Sequence, residues 1–103
     1  MFNVITISGS TKFKKEFQEV AAKLEKKGYI VLTTHVFTHA DNLQITQQEI
    51  ERYERMYRQQ ISMSSEVFVI NKGGYIGEST RKEIEYAINL GKKITYLEGR
   101  KNE

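Results

Sequence analysis

Hydrophobic and polar positions along this 103-residue chain follow two periods that take turns. Residues 4–7, 29–33, 67–70 and 93–97 are short apolar runs rich in β-branched side chains, which predicts four strands. Val67, Phe68, Val69 and Ile70 form an unbroken run, the pattern of a strand covered on both faces. Between the runs the period changes to 3.6. Phe13, Phe17, Val20, Ala21 and Leu24 make one face of a first helix, with Gly28 as its C-cap. A polar loop over residues 34–45 leads to a second helix. Thr46 is its expected N-cap, and Glu49 stands three residues on at capping-box spacing. Ile50, Tyr53, Tyr57 and Ile61 predict its buried stripe. The third helix is expected over residues 79–90, with Ile84, Ala87 and Ile88 inward and Gly91 as C-cap. Residues 99–103 read as a frayed tail.

Strands alternating with helices predict an α/β fold: a small Rossmann- or flavodoxin-like three-layer sandwich. Its four-stranded parallel sheet is expected in the order 2-1-3-4, with three helices. The gap between strands one and three is then the switch point, where open parallel sheets bind small ligands. Two glycine-bearing turns, residues 8–11 and 73–79, should face each other across it. Gly73, Gly74 and Gly77 supply positive φ or close backbone approach. The helix after them offers its N-terminal amides to an anion, and Glu83 sits one turn along it.

Composition narrows the choice. The chain has no cysteine, so it offers neither disulfides nor a thiolate metal site, and a cytoplasmic location is the simplest reading. No segment reads as a signal peptide or as a membrane-spanning helix, so no membrane partner is expected. The net charge is +3. Lys12, Lys14, Lys15, Lys23, Lys26 and Lys27 contribute much of it, but Glu16, Glu19 and Glu25 share their helix. That mixture reads as a solvated face rather than a nucleic-acid surface. No His/Cys/Asp cluster has ligand spacing, so neither a metal nor an organic cofactor is expected. Tyr53, Met56 and Tyr57 give helix two more apolar surface than one thin sheet covers, which predicts a homodimer.

Three blocks together resemble a known family. They are Ile7-Ser-Gly-Ser-Thr, Val31-Leu-Thr-Thr-His-Val36, and Gly74-Tyr-Ile-Gly-Glu-Ser-Thr-Arg-Lys-Glu-Ile-Glu-Tyr-Ala87 with Leu90-Gly-Lys-Lys. In this order they look like the nucleoside 2-deoxyribosyltransferase superfamily, which includes deoxynucleoside 5′-monophosphate N-glycosidases. The resemblance implies cleavage or exchange of an N-glycosidic bond, on a nucleoside or nucleotide, by an oligomeric protein. Glu83 matches the family's nucleophilic glutamate. Gly9, Ser10 and Thr11 match the loop touching sugar and 5′-phosphate, and Lys12 falls where monophosphate-specific members carry arginine. Gly74, Gly77 and Ser79 belong to the turn before the catalytic helix, and His35 follows strand two where a ring reaches the site.

Blander readings stand beside these. Thr80 with Glu83 has capping-box spacing, so Glu83 capping its own helix is the alternative to catalysis. Ser10 and Thr11 have N-cap chemistry, Lys12 is solvated unless the ligand carries phosphate, and His35 is structural or exposed. His39 carries no signal, and Tyr75 is open to either base stacking or a dimer contact. One departure is plain. Where relatives supply an aspartate before or after strand three, residues 55–65 hold no acid, Ser62 replaces it, and Asn71 is neutral. The expected function is therefore N-glycosidic cleavage or transfer, with a non-catalytic nucleotide-binding module as the alternative.

Overall fold

The computed structural model describes residues 1–34 and 45–99. Four strands, β1 (Val4–Gly9), β2 (Ile30–Thr33), β3 (Glu66–Ile70) and β4 (Lys93–Tyr96), form one sheet in the order β2-β1-β3-β4. All three pairings are parallel. Three helices complete the fold: α1 (Lys14–Lys26), α2 (Gln47–Met63) and α3 (Glu78–Asn89). A single 3-10 turn, Thr11–Phe13, leads into α1, and a second, Lys72–Gly74, follows β3. The expected architecture is present.

Alternation along β1 assigns its two faces. Ile5 and Ile7 pack with Phe13, Phe17, Val20, Leu24 and Ile70 into the core beneath α1. Val67 and Val69 pack with Ile61, Ile84 and Ala87 into a second core beneath α2 and α3. Thr6 and Ser8, the alternate residues of β1, are fully buried and stand opposite Val67 and Val69 in register. Two hydroxyls are thus buried on one strand, and each needs a partner. Thr6 meets the Ser64 hydroxyl at 2.6 Å and the Gln60 carbonyl at 3.3 Å, anchoring the end of α2. Ser8 is met by α3, as described below.

Strands β2, β3 and β4 differ from expectation by one residue at one end, and larger differences occur elsewhere. β1 runs two residues further, to Gly9, because Ser8 and Gly9 still pair with Val69 and Ile70. A Cβ on Gly9 would lie 2.8 Å from the Ile70 Cβ, so only glycine admits this pairing. α3 begins at Glu78 rather than at 79, with Gly77 as N-cap and no side chain capping it. Ile88 was expected inward but is 58% exposed. It lies about 100° around the helix from the buried Ala87, so the last turn carries it off the sheet.

α2 also departs from its expected stripe. The capping box forms as expected: Glu49 N donates to Thr46 Oγ1 at 3.1 Å, and Thr46 N donates to Glu49 Oε1 at 2.9 Å. Yet of Ile50, Tyr53, Tyr57 and Ile61, only Ile61 is fully buried. The first turns of α2 stand off the sheet. The space left there becomes part of the site.

Candidate functional site

Because the sheet is parallel, β1 and β3 end at the same edge, and the two turns meet there. Gly9, Ser10 and Thr11 from one turn, with Tyr75, Gly77 and Ser79 from the other, line a cleft of about 350 Å³. The uncapped N-terminal turn of α3 forms one of its walls. Free helix amides carry partial positive charge and favour an anionic group, although the Glu78 carboxylate on the same lining opposes it.

A second concavity of about 190 Å³ lies under the raised start of α2, lined by Thr34, Tyr53, Glu54, Tyr57, Ser79 and Glu83. Tyr53 and Tyr57 are stacked on its wall, with ring centroids 6.2 Å apart and planes 15° apart. Ser79 borders both concavities, so the two lie next to each other at this edge.

Glu83 is at the centre. Since α3 starts at Glu78, Glu83 falls in its second turn, beyond the reach of the helix's own cap. Its Oε1 instead accepts a hydrogen bond from the buried Ser8 hydroxyl of β1. Burial pushes the Glu83 carboxyl up from 4.5 to about 7. Hydrogen bonds from Ser8 and Thr34 pull it partly back, and the charge of Glu54 pushes it up further. Thr34, itself buried after β2, is steadied by the Ile7 carbonyl. Tyr57 faces the same charge: burial, then Glu83 and then Tyr53 raise its phenol to about 12. It stays protonated, a donor in the cleft.

The other sequence-predicted residues divide. Gly9, Ser10, Thr11, Gly77 and Ser79 line the cleft. Gly77 has an ordinary φ of −76°, so its expected positive φ is not adopted. Gly74 does adopt one, φ 82°, but only closes the turn through its N–H to the Asn71 carbonyl at 2.7 Å. Ser10 Oγ accepts from Lys12 N at 3.3 Å and caps the 3-10 turn, not the first helix, whose own N-cap is Phe13 with no side-chain cap. The Lys12 ammonium lies 3.4 Å from the Tyr75 ring centroid, in a cation–π contact. Tyr75 is also held edge-on by Phe13. His35 and His39 lie outside the described residues.

The neutral residues at the departure are occupied. Ser62 bonds to the Arg58 carbonyl and the Tyr86 hydroxyl, each at 3.1 Å, and does not line either concavity. Asn71 is buried and clasps the backbone of Glu98 with both ends of its amide. Reading the sequence missed Ser8, Thr34 and Glu54. The sequence pattern places Ser8 in a turn, and Glu54 stands one position before the acid-free span 55–65. Among the described residues, no three His, Cys, Asp or Glu side chains gather where they could hold a metal ion.

A family model described as a domain of unknown function, DUF4406, matches residues 5–96. The chain belongs to the DUF4406 family. The match runs from β1 to the end of β4, so it takes in both turns and Glu83. No curated protein matches the chain.

Proposed function

We propose that this DUF4406 protein cleaves or transfers the N-glycosidic bond of a nucleoside or nucleoside 5′-monophosphate, with Glu83 as nucleophile. The observation that carries the reading is the hydrogen bond from Ser8 to Glu83. It holds a carboxylate at the switch-point edge, where helix capping would have no use for it. In the reaction a Glu83 oxygen bonds to the sugar's anomeric carbon as the carbon–nitrogen bond breaks. The bonding pair leaves with the base, which takes a proton from water. A water molecule, or a second base in transfer, then attacks the same carbon and frees Glu83; attacking water gives up a proton. The oxocarbenium character of both steps is what a fixed carboxylate stabilises.

The two concavities fit the parts of such a substrate. A phosphate would lie against the α3 N-terminus, with Ser10 and Thr11 opposite. A base would lie along Tyr53 and Tyr57. No helix among the described residues is long and apolar enough to cross a membrane, and a cytoplasmic setting fits a nucleotide substrate. Met56 is 47% exposed on α2, which leaves that helix a surface for a second copy. Light scattering at high micromolar concentration should give a dimer mass; a clean monomer would remove that element.

The reaction is tested by incubating the protein with the four deoxynucleoside monophosphates and assaying free base by chromatography. Release from at least one is expected. Nucleotide binding without release from any would favour a binding module instead, the reading that the bonded Ser62 and Asn71 support.

A further inference from the structure

Because every strand pairing is parallel, the sheet has a second edge, where the strands begin, opposite the one that carries the cleft. The chain enters β1 there through Phe2 and Asn3, β2 through residues 27–29, β3 through residues 63–65 and β4 through residues 90–92. Two hydrogen bonds tie these entries together: Ile30 N donates to the Asn3 carbonyl at 2.9 Å, and Ser65 N donates to the Val4 carbonyl at 2.8 Å. Lys93 stands opposite Glu66 in register and brings the β4 entry alongside.

The edge collects apolar side chains that the fold leaves in water. Phe2 is 70% exposed and Met63 59%, and Ile30 and Leu90 are exposed as well. Lysines accompany them. Lys26, Lys27 and Lys93 are exposed, and Lys92 Nζ donates to the Ser62 carbonyl at 3.1 Å. Phe2 and Lys27 border one open hollow of about 300 Å³, so apolar and cationic groups are neighbours there. The acids of the same segments are Glu25 and Glu66, and Glu66 accepts from the Tyr29 hydroxyl at 3.1 Å. Lysines at a helix end also answer the helix dipole, which accounts for Lys26 and Lys27. It does not account for Lys93, on a strand, nor for bare apolar side chains at all four strand entries.

We infer that this edge docks the protein on an anionic lipid surface, with Phe2, Ile30, Met63 and Leu90 entering the headgroup boundary and the lysines facing lipid phosphates and carboxylates. Attachment of this kind adds apolar insertion to attraction between lysines and anionic lipids, and the edge supplies both. Lysine stems can lie along the apolar boundary while their ammonium groups stay in the headgroup layer. A second copy would set the same lysines against each other. A nucleic acid would answer the charge but offer the apolar side chains no apolar phase. An acidic protein would need a separate pocket for each of them, whereas a bilayer accepts them wherever they stand. No spanning helix is needed, and the cleft at the opposite edge stays open to solvent. The inference stands apart from the glycosidic reading.

The test is co-sedimentation of the full chain with vesicles of phosphatidylcholine alone, and with vesicles in which phosphatidylserine replaces a third of it. Binding to the mixed vesicles should be about 10-fold tighter or more, and should weaken as salt is added. Lys27→Gln with Lys93→Gln should weaken it about 10-fold, as expected when two surface lysines are lost. Lys14→Gln with Lys15→Gln, at the far end of α1, removes the same net charge and should change it much less. The chain has no tryptophan, so a single Trp reports its own position. Emission should shift to the blue on mixed vesicles in Phe2→Trp and in Met63→Trp, and stay in place in Tyr75→Trp at the cleft edge. Failure to sediment, equal binding to both vesicle types, or equal loss in the two lysine pairs overturns the inference. So does a blue shift in Tyr75→Trp alone. Salt-sensitive binding to a polynucleotide without vesicle binding overturns it too, and gives the lysines to nucleic acid.

Discussion

Thr46–Glu49 and Thr80–Glu83 have the same spacing, a hydroxyl followed three residues later by a carboxylate at the start of a helix. Only the first pair is a capping box. There Thr46 is the N-cap and the two side chains close on each other's backbone N–H. In α3 the N-cap is Gly77, so Thr80 is already the third helical residue and is buried. Glu83 has turned to the sheet and accepts from Ser8, 75 residues away in sequence. The difference teaches that the motif specifies a cap only where the helix begins at its hydroxyl residue. Where the helix begins earlier, the same carboxylate is released for another use.

The sharpest way to break this comparison is to neutralise both glutamates. Glu83→Gln should lower base release by about 10³-fold or more, since the trapping charge is gone while the shape remains. Glu49→Gln should leave release unchanged, because glutamine serves a capping box as well. Chromatographic base assays on both variants check this. Equal activity in Glu83→Gln and wild type would return Glu83 to a structural role.

Ser8 sharpens the same contrast from the sheet side. Its hydrogen bond both aims Glu83 and stabilises its charged form. Ser8→Ala should cost about 10- to 100-fold in kcat through lost positioning. It should also raise the Glu83 pKa further, because a hydrogen bond that lowers it is removed. In wild type, base release should rise with pH through about 7 as the nucleophile ionises. In Ser8→Ala that limb should move to higher pH. A limb that stays in place in Ser8→Ala would mean that the rate reports another group.

Much of the fold was legible because it depends on periods. Unbroken β-branched runs, 3.6-residue stripes and turn glycines are local signals, and they led to the strand order and the three helices. The site was legible only where one segment carried it, as with Glu83, Ser79 and the first turn. Ser8 was a missed opportunity. Thr6 and Ser8 alternate with Ile5 and Ile7, and hydroxyls facing inward on a doubly covered strand demand partners. Glu54 was harder to find. Its place depends on how far the start of α2 stands off the sheet, which the apolar stripe of Ile50, Tyr53, Tyr57 and Ile61 does not reveal. Ile88 failed for a related reason: periodicity gives a face, but not where that face leaves the sheet.

Stability separates the two glutamates a third way. The folded state raises the Glu83 carboxyl from 4.5 to about 7, so folding favours its protonated form. That stabilisation is fully present below pH 4.5 and is lost as pH rises through about 7. At pH 8 the buried charge then costs at most on the order of 3 kcal/mol relative to a neutral side chain. Glu83→Gln should accordingly melt higher than wild type at pH 8 and nearly level with it at pH 4.5. Thermal unfolding at the two pH values checks it. A variant less stable than wild type at both would show that the carboxylate is held for the fold.

The smallest effect belongs to the other member of the pair. Thr46→Ala removes the oxygen that accepts from Glu49 N, and the Glu49 side chain loses its reciprocal geometry. Losing an N-cap hydroxyl costs about 1 kcal/mol, so the denaturation midpoint should drop slightly while base release stays at wild-type level. The matching change in α3, Thr80→Ala, removes a buried hydroxyl that caps nothing, so any loss there must come from packing. Adding Glu49→Ala to Thr46→Ala then completes a cycle on α2. Its coupling should be clear, because each half of the box satisfies a backbone N–H only while the other holds the turn. Adding Glu83→Ala to Thr80→Ala completes the cycle on α3, where the two side chains share no hydrogen bond and the effects should add. Chemical denaturation of both cycles measures the difference directly. Coupling of similar size in the two would mean that Thr80 and Glu83 act together after all, and the contrast between the helices would collapse.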